Sequence, residues 1–337
     1  SLGSPQLFNQ QIPTYTMTDS DAGTLDDSRS THSQGRLERL LRAGAFVVTA
    51  ETTPPVSADP AALLEVTEDL RDWADAVNVT DSAGAKSHMA SLVAASLLMR
   101  AGIEPILQFT VRDRNRIALQ NDLLGAGALG ISNILCLTGD NISAGDQPDA
   151  KMVMDLDSRG LVSLARDMRD SRQLPTGRPI EKAPGLFIGA TDSPQEPDNE
   201  WSATALQSKV DAGAEFFQTQ FCFDIDLVRR YMERLENEGV LERAYFLIGI
   251  GPIASAKSAR WMNQNLFGVD IPESLIGRLE QATNQQAEGR RVCLELIQQL
   301  REVTGVSGVH LMGPQAERSA AQVIADSGIL NERPEVA

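Results

Sequence analysis

The sequence predicts an α/β chain folded as a closed (β/α)8 TIM barrel, and three observations carry that expectation. Eight short runs rich in β-branched and apolar residues punctuate the chain, with helical patterns between them. Their carboxyl ends at 51, 80, 110 and 138 are separated by steps of 29, 30 and 28 residues, and a step of 30 recurs from 190 to 220. One strand, one helix and two short loops take that length, which is the βα unit. The chain of 337 residues is 42% hydrophobic but only 5% aromatic, which suits the aliphatic, alanine-rich core of an α/β fold. Length by itself suggests two domains, although barrels of this size are often one.

Taken in order, residues 1–35 are polar and lack periodicity, so they are expected to form a flexible amino-terminal arm. Residues 36–330 are expected to form the single barrel domain, and 331–337 a short tail. The run 36–43 reads as an amphipathic helix ended by Gly44. Strand-like runs follow at 46–51, 76–80, 105–110, 133–138, 186–190, 216–221, 244–249 and 309–312. Helical patterns lie between them, for example at 61–73, 89–101, 114–124, 161–171 and 201–212. The long step from 249 to 312 holds an additional helix at about 284–303. An open doubly wound sheet is the alternative, and Gly125-Ala-Gly127-Ala-Leu-Gly130 spells its dinucleotide fingerprint. A dinucleotide loop needs strand then helix, whereas these glycines follow a helix and precede a strand. They read instead as a helix cap and loop.

Charge and composition narrow the function. A net charge of −16 opposes nucleic-acid or anionic-membrane binding over most of the surface. No apolar run is long enough to span a bilayer, and no secretory signal is visible, so a cytoplasmic protein is the simplest reading. Cys136, Cys222 and Cys293 are far apart, as are His32, His88 and His310. No metal site is expected, and His310, inside an apolar run, reads as a core histidine.

Barrel chemistry collects where the strands end. The first strand delivers Glu51 just before Thr52-Thr53-Pro54-Pro55, and the two prolines must end its hydrogen-bonded ladder. Such a carboxylate suits proton transfer, or it is a solvated strand end or a helix-cap partner. The other ends offer Thr80-Asp81, Gln108 to Thr110, Thr138-Gly139-Asp140, Ala190 to Asp192, Thr219-Gln220 and Gly249 to Pro252. The set is polar and acidic but lacks clustered histidines and cysteines, so it suits neither a zinc ion nor a Ser-His-Asp triad. It can hydrogen-bond a polar heterocycle and move a proton. Gly139 lets the backbone approach a flat ligand, or it simply makes a turn.

Five short motifs in order make the chain similar to the methylenetetrahydrofolate reductase family, from about Phe46 to Leu330. They are Ala50-Glu51-Thr52-Thr53-Pro54-Pro55, like F-E-F-F-P-P; Val77-Asn78-Val79-Thr80, like V-S-V-T; Leu137-Thr138-Gly139-Asp140, like L-R-G-D; Lys209-Val210-Asp211-Ala212-Gly213-Ala214, like K-V-D-A-G-A; and Thr219-Gln220-Phe221-Cys222-Phe223-Asp224, like T-Q-F-F-F-D. The resemblance implies an FAD-dependent oxidoreductase interconverting 5,10-methylenetetrahydrofolate and 5-methyltetrahydrofolate. It implies Glu51 as the general acid at N10 and Asp140 as a charge beside flavin and pterin. Gln220 and Gln315 join Glu51 and Asp140 as folate contacts. For the cofactor it implies Thr80, Asp81 and Gln108 on the second and third strands. Leu137, Thr138, Gly139 and Asp140 follow on the fourth, with Ala190 and Lys209 beyond them.

Departures from the family pattern bear on the electron partner. Thr138 replaces an arginine, Thr52 and Thr53 replace two aromatics, and Ala190-Thr191-Asp192-Ser193-Pro194 replaces Y-P-E-x-H. Gln315 replaces an arginine, and Ala256 stands where bacterial members place a phenylalanine that stacks on nicotinamide and folate. Losing that platform removes about 1 kcal/mol of stacking. Flavin–folate chemistry independent of NAD(P)H is therefore the leading expectation. A non-catalytic flavin- and folate-binding subunit and a deazaflavin-dependent reductase are the alternatives. A homo-oligomer is compatible with the sequence but not required by it.

Overall fold

A computed structural model describes residues 31–333. Eight strands close into a barrel in chain order: β1 (Val47–Thr52), β2 (Ala76–Val79), β3 (Pro105–Thr110), β4 (Asn133–Leu137), β5 (Phe187–Asp192), β6 (Phe216–Phe221), β7 (Tyr245–Ile250) and β8 (Val306–Leu311). Every neighbouring pair is parallel, including the β1–β8 pair that closes the ring. The closed (β/α)8 barrel is therefore the fold, and the open sheet is excluded. The helices are α1 (Arg36–Arg42), α2 (Pro60–Thr67), α3 (Ser91–Arg100), α4 (Arg116–Leu129), α5 (Ser158–Asp170) and α6 (Thr204–Ala212), then α7 (Ile225–Asn237), α8 (Ala256–Asn265), α9 (Glu273–Gln281), α10 (Gln285–Leu300) and α11 (Glu317–Ser327). Among the described residues no helix is long and apolar enough to cross a membrane.

Strand alternation divides the core in two. On β1, Val48 and Ala50 face the helices in the large outer cluster. Val47 faces the barrel axis with Ala76, Ile106, Leu135, Phe187, Phe216 and Leu247. The same inner cluster contains Leu37, Leu40 and Leu41, so α1 plugs the amino-terminal end of the barrel. Each of these buried leucines contributes roughly 1.5–3 kcal/mol. Phe187 and Phe216 stack with ring centroids 4.8 Å apart. A Cβ on Gly189 would come within 2.3 Å of the Phe216 ring, so the plug requires glycine there.

Residues 1–30 of the expected arm lie outside the described residues, but its last part is held. The main-chain N–H groups of His32 and Ser33 donate to the Glu38 carboxylate at 2.8 and 2.7 Å. The His32 ring pairs with Glu215. At the other end, 334–337 lie outside the described residues, while Arg333 pairs with buried Asp75.

Two element expectations need correction. Helix α4 runs on to Leu129, so Gly125 and Gly127 are helical and only Gly130 is a cap, with φ 79°. A Cβ on Gly127 would meet Pro184 at 2.7 Å, so this glycine is there for close packing rather than for a loop. The segment between β7 and β8 holds three helices rather than a single additional one, and the helix expected at 284–303 is α10. Helices α8 and α9 precede α10, and their turn lies against the carboxyl ends of β5 and β6, where Gln220 donates to the Phe267 carbonyl at 3.3 Å.

Candidate active site

Glu51, next to last in β1, turns inward at the carboxyl-terminal mouth and is half-buried. Its Oε2 accepts a hydrogen bond of 2.8 Å from the Gln108 amide on β3. The Nε2 of His310 on β8 lies 3.7 Å from that same oxygen. Glu51 Oε1 has no hydrogen-bond partner among the described residues. Glu51 also lines a cavity of about 210 Å³ with Thr53, Gly313, Gln315 and Glu317.

Beneath Glu51 lies a buried polar layer. The Thr49 hydroxyl is 2.9 Å from His310 Nδ1, and Gln218 Nε2 donates to Thr49 Oγ1 at 3.1 Å. Gln218 and Asn78 exchange amide hydrogen bonds of 3.0 and 2.6 Å. Taking the shortest contact, the Thr49 hydroxyl donates to His310 Nδ1, with Gln218 Nε2 3.3 Å from the same nitrogen and the Val309 carbonyl 3.4 Å from the hydroxyl. That assignment places the ring hydrogen on Nε2, aimed at Glu51. A separation of 3.7 Å is too long for a hydrogen bond, but such contacts often tighten when substrate is present. His310, expected in the core, is indeed buried but also faces Glu51, and Gln108, expected as a cofactor contact, donates to Glu51. The signal was there in the register. Thr49, Asn78, Gln218 and His310 are the inward positions of strands whose outward positions are apolar.

The β2–β4 side is built differently. Thr80 is buried, and its Oγ1 has no partner. Gly139 has φ 93°, and a Cβ there would meet Arg112 and Thr110 at 3.1 and 3.2 Å, so only glycine makes this turn without strain. Exposed Asp140 accepts from the Gly84 N–H at 2.7 Å. Leu137 is the last residue of β4, and Thr138 is exposed. Asp81 accepts from the Thr110 N–H and hydroxyl at 2.9 Å each, from Ser91 at 3.2 Å and from Arg114. Its carboxylate is thus spent on tying β2 to β3.

Farther round, the Ala190 methyl packs into the outer core, so only its main chain can face the mouth. Lys209 on α6 reaches the Thr191 carbonyl at 2.6 Å. Burial lowers its pKa, opposed by Asp192. Burial raises the pKa of Asp192, against a 2.8 Å hydrogen bond from Tyr231. Gln220 donates to the Phe267 carbonyl and accepts from the Phe221 N–H at 2.9 Å. Glu51 and Asp140, the two residues expected to be catalytic, stand three strands apart with no direct contact.

These residues fit the ring of a flavin. The unpartnered Thr80 hydroxyl supplies a buried donor, and Gly139 opens a flat approach. Lys209 has two N–H groups left after Thr191, the chemistry a phosphate oxygen takes. Arg112 is committed to Asp113 at 2.8 and 2.7 Å, and Thr138 adds no charge.

A sequence profile of the family described as methylenetetrahydrofolate reductase matches residues 36–328. The chain belongs to the methylenetetrahydrofolate reductase family. The match begins with the first residue of α1 and ends at Gly328, which caps α11. A probable methylenetetrahydrofolate reductase (NADPH) of Caenorhabditis elegans is 24% identical over 302 residues, covering 87% of this chain and 39% of that protein. Methylenetetrahydrofolate reductase 2 of Schizosaccharomyces pombe is 24% identical over 260 residues, covering 75% of this chain and 40% of that protein. The chain thus spans about two fifths of the length of these methylenetetrahydrofolate reductases. An uncharacterized protein from Clostridium thermocellum that binds two copies of 5-methyl-5,6,7,8-tetrahydrofolic acid shares the fold. Its TM-score is 0.59 at 13% identity, covering 86% of this chain and 98% of that one.

Proposed function

We propose that this chain interconverts 5,10-methylenetetrahydrofolate and 5-methyltetrahydrofolate, with Glu51 as its acid–base group. The observation that carries the reading is the two-sided environment of the Glu51 carboxylate. Oε2 is held by Gln108 above the His310 ring, and Oε1 is left for a ligand. In the reducing direction Glu51 gives its proton to N10. The bond from N10 to the bridging carbon then breaks, and an iminium remains between N5 and that carbon. The residues on the β2–β5 side would hold a reduced flavin, whose chemistry would supply the hydride that makes the exocyclic carbon a methyl group. Thr80, Gly139 and Lys209 hold the cofactor and orient it, and Asp140 places a negative charge near both rings. Gln220 and Gln315 contact the folate. His310, anchored by Thr49 and Gln218, fixes the carboxylate and stabilises its ionised form once the proton has left.

FAD is the proposed cofactor. A deazaflavin is the second reading, favoured by the exposed, uncharged Thr138 at the cofactor end. Folate as ligand is supported by the family membership and by the ligand named for the C. thermocellum neighbour. The electron partner is proposed to be something other than a nicotinamide stacked at the start of α8. Ala256 there is buried, and its N–H is taken by Gln285 at 2.9 Å.

The test is anaerobic. The purified protein, reconstituted with FAD, is mixed with 5-methyltetrahydrofolate, NADH or NADPH while the flavin absorbance is followed. Bleaching by the folate but not by the nicotinamides is expected. Glu51→Gln should keep the flavin and lose about a hundred- to ten-thousandfold in folate turnover, because the proton donor is gone. Undiminished turnover in that variant sinks the assignment of Glu51.

A further inference from the structure

Phe267 is 93% exposed, whereas every other phenylalanine among the described residues is buried or half-buried. It stands at the tip of a turn whose flanks are well anchored. Leu266 packs against the core, Val269 is buried, and the Val269 N–H returns to the Leu266 carbonyl. Gly268 follows with φ 74°, the left-handed conformation that the third position of a type II turn requires. The base of the loop is tied by two hydrogen bonds between Asn263 and Ile271, of 2.7 and 3.0 Å. The ring is therefore projected by a braced turn.

That turn lies at the mouth of the barrel. Gln220 at the end of β6 donates to the Phe267 carbonyl at 3.3 Å. A Cβ on Gly268 would lie 2.8 Å from Ser193 Oγ, just after β5. The helices α8 and α9, inserted between β7 and α10, thus hold Phe267 beside a proposed folate contact. The other exposed tryptophan and phenylalanine rings among the described residues lie elsewhere. Trp261 is on α8, and Trp73 precedes β2 at the opposite end of the barrel. Phe221 and Phe223 stack on one another, 5.7 Å between centroids, and are buried. Thr52 and Ala256 are buried, so neither of these departures leaves a vacant platform facing the mouth.

We infer that Phe267 is the aromatic wall of the folate site, stacking on a flat ring of the substrate while Gln220 fixes the turn that carries it. The inference rests on the proposed folate activity and adds to it a specificity-determining residue. An aromatic ring left in water gains most when a flat π-face covers it, and such stacking accounts for about tenfold in affinity. Because Phe267 touches little in the free protein, its removal changes ligand binding and leaves the fold intact.

The experiment compares the full chain with Phe267→Ala and Phe267→Trp, titrating each with 5-methyltetrahydrofolate and recording melting temperature. Phe267→Ala is expected to bind about tenfold more weakly at an unchanged melting temperature. In turnover, KM should rise about as much while kcat stays within twofold, the pattern of lost uniform binding. Phe267→Trp should restore affinity, and its added emission, taken over the unaltered protein, should be quenched as folate binds. Equal binding by the alanine variant overturns the inference, as does a tryptophan emission indifferent to folate. If the unaltered protein binds no folate, both the proposed activity and this inference are overturned. Binding by the unaltered protein with no loss in Phe267→Ala overturns the inference alone.

Discussion

A carboxylate at the rim of a barrel is best placed to move a proton when one oxygen is held and the other is left to meet a ligand. At Glu51 the asymmetry comes from Gln108 and His310, which both address Oε2. Neither partner is close in sequence. His310→Leu keeps the volume but removes the group facing Glu51 and one Gln218 contact, and leaves the Thr49 hydroxyl only the Val309 carbonyl at 3.4 Å. That variant should lose roughly 1–3 kcal/mol of stability and at least tenfold in turnover, with folate affinity nearly unchanged. The discriminating measurement is the pH profile of turnover. A positioning role shifts its acid limb, and an unmoved limb means His310 is only packing. Glu51 was legible because strand composition and the Pro54-Pro55 stop mark where the strand ends. His310 was not, because an apolar run gives no clue that its neighbour across the ring, Thr49, is polar on the same inward layer.

Among the elements, α1 is held by charge as well as by its leucines. Glu38 is buried, takes the N–H groups of His32 and Ser33, and pairs with Arg42 at 2.7 Å. Glu215 receives Arg169 at 2.6 Å and His32. His32, Glu38 and Glu215 offer ligand atoms within 4.8 Å of one another, but Arg42 and Arg169 already balance those carboxylates and oppose a cation. Burial pushes the Glu215 pKa up, yet His32 and Arg169 bring it net below its ordinary value. The folded state therefore binds fewer protons than the unfolded chain in this range. The stabilisation is complete above the unfolded glutamate pKa of about 4.3 and drains as pH falls through the lower folded value. Glu215→Gln should cost about 3 kcal/mol at neutral pH and flatten the fall in stability below pH 4. Denaturant midpoints measured from pH 3 to 7 check this, and parallel curves for the two proteins count against it. None of this pairing was visible in sequence, because residues 32–35 look like the polar arm before them. The α4 glycines misled for a related reason, since Gly127 answers to Pro184, which is distant in sequence.

At the scale of the whole molecule, the βα spacing made the barrel legible, since each unit repeats one local pattern. The division of labour around its mouth was less so. The Glu51 carboxylate and the polar residues beneath it, Gln218 and His310, sit on the arc from β6 round to β1, with Gln108 reaching over from β3. The groups suited to a cofactor gather on β2, β4 and the α6 side of β5, through Thr80, Gly139 and Lys209. Gln108 and Asn78 link the two arcs, so a residue outside those contacts is needed to alter one without the other. Thr138 is the place to do it, being exposed and without a charged partner at the cofactor arc. Thr138→Arg restores to this position the residue type of the related motif and adds a guanidinium for a phosphate. A charge-assisted hydrogen bond there contributes about 1.5–3 kcal/mol, so FAD affinity should rise at least tenfold, as read by flavin retained through gel filtration and by titration. Affinity for 5-methyltetrahydrofolate should stay within twofold, because Glu51, Gln220 and Phe267 lie on the other arc. A variant that binds FAD no better places the phosphates elsewhere than beside Thr138. One that loses folate affinity as well shows that the two arcs are coupled, and the barrel then presents a single continuous site.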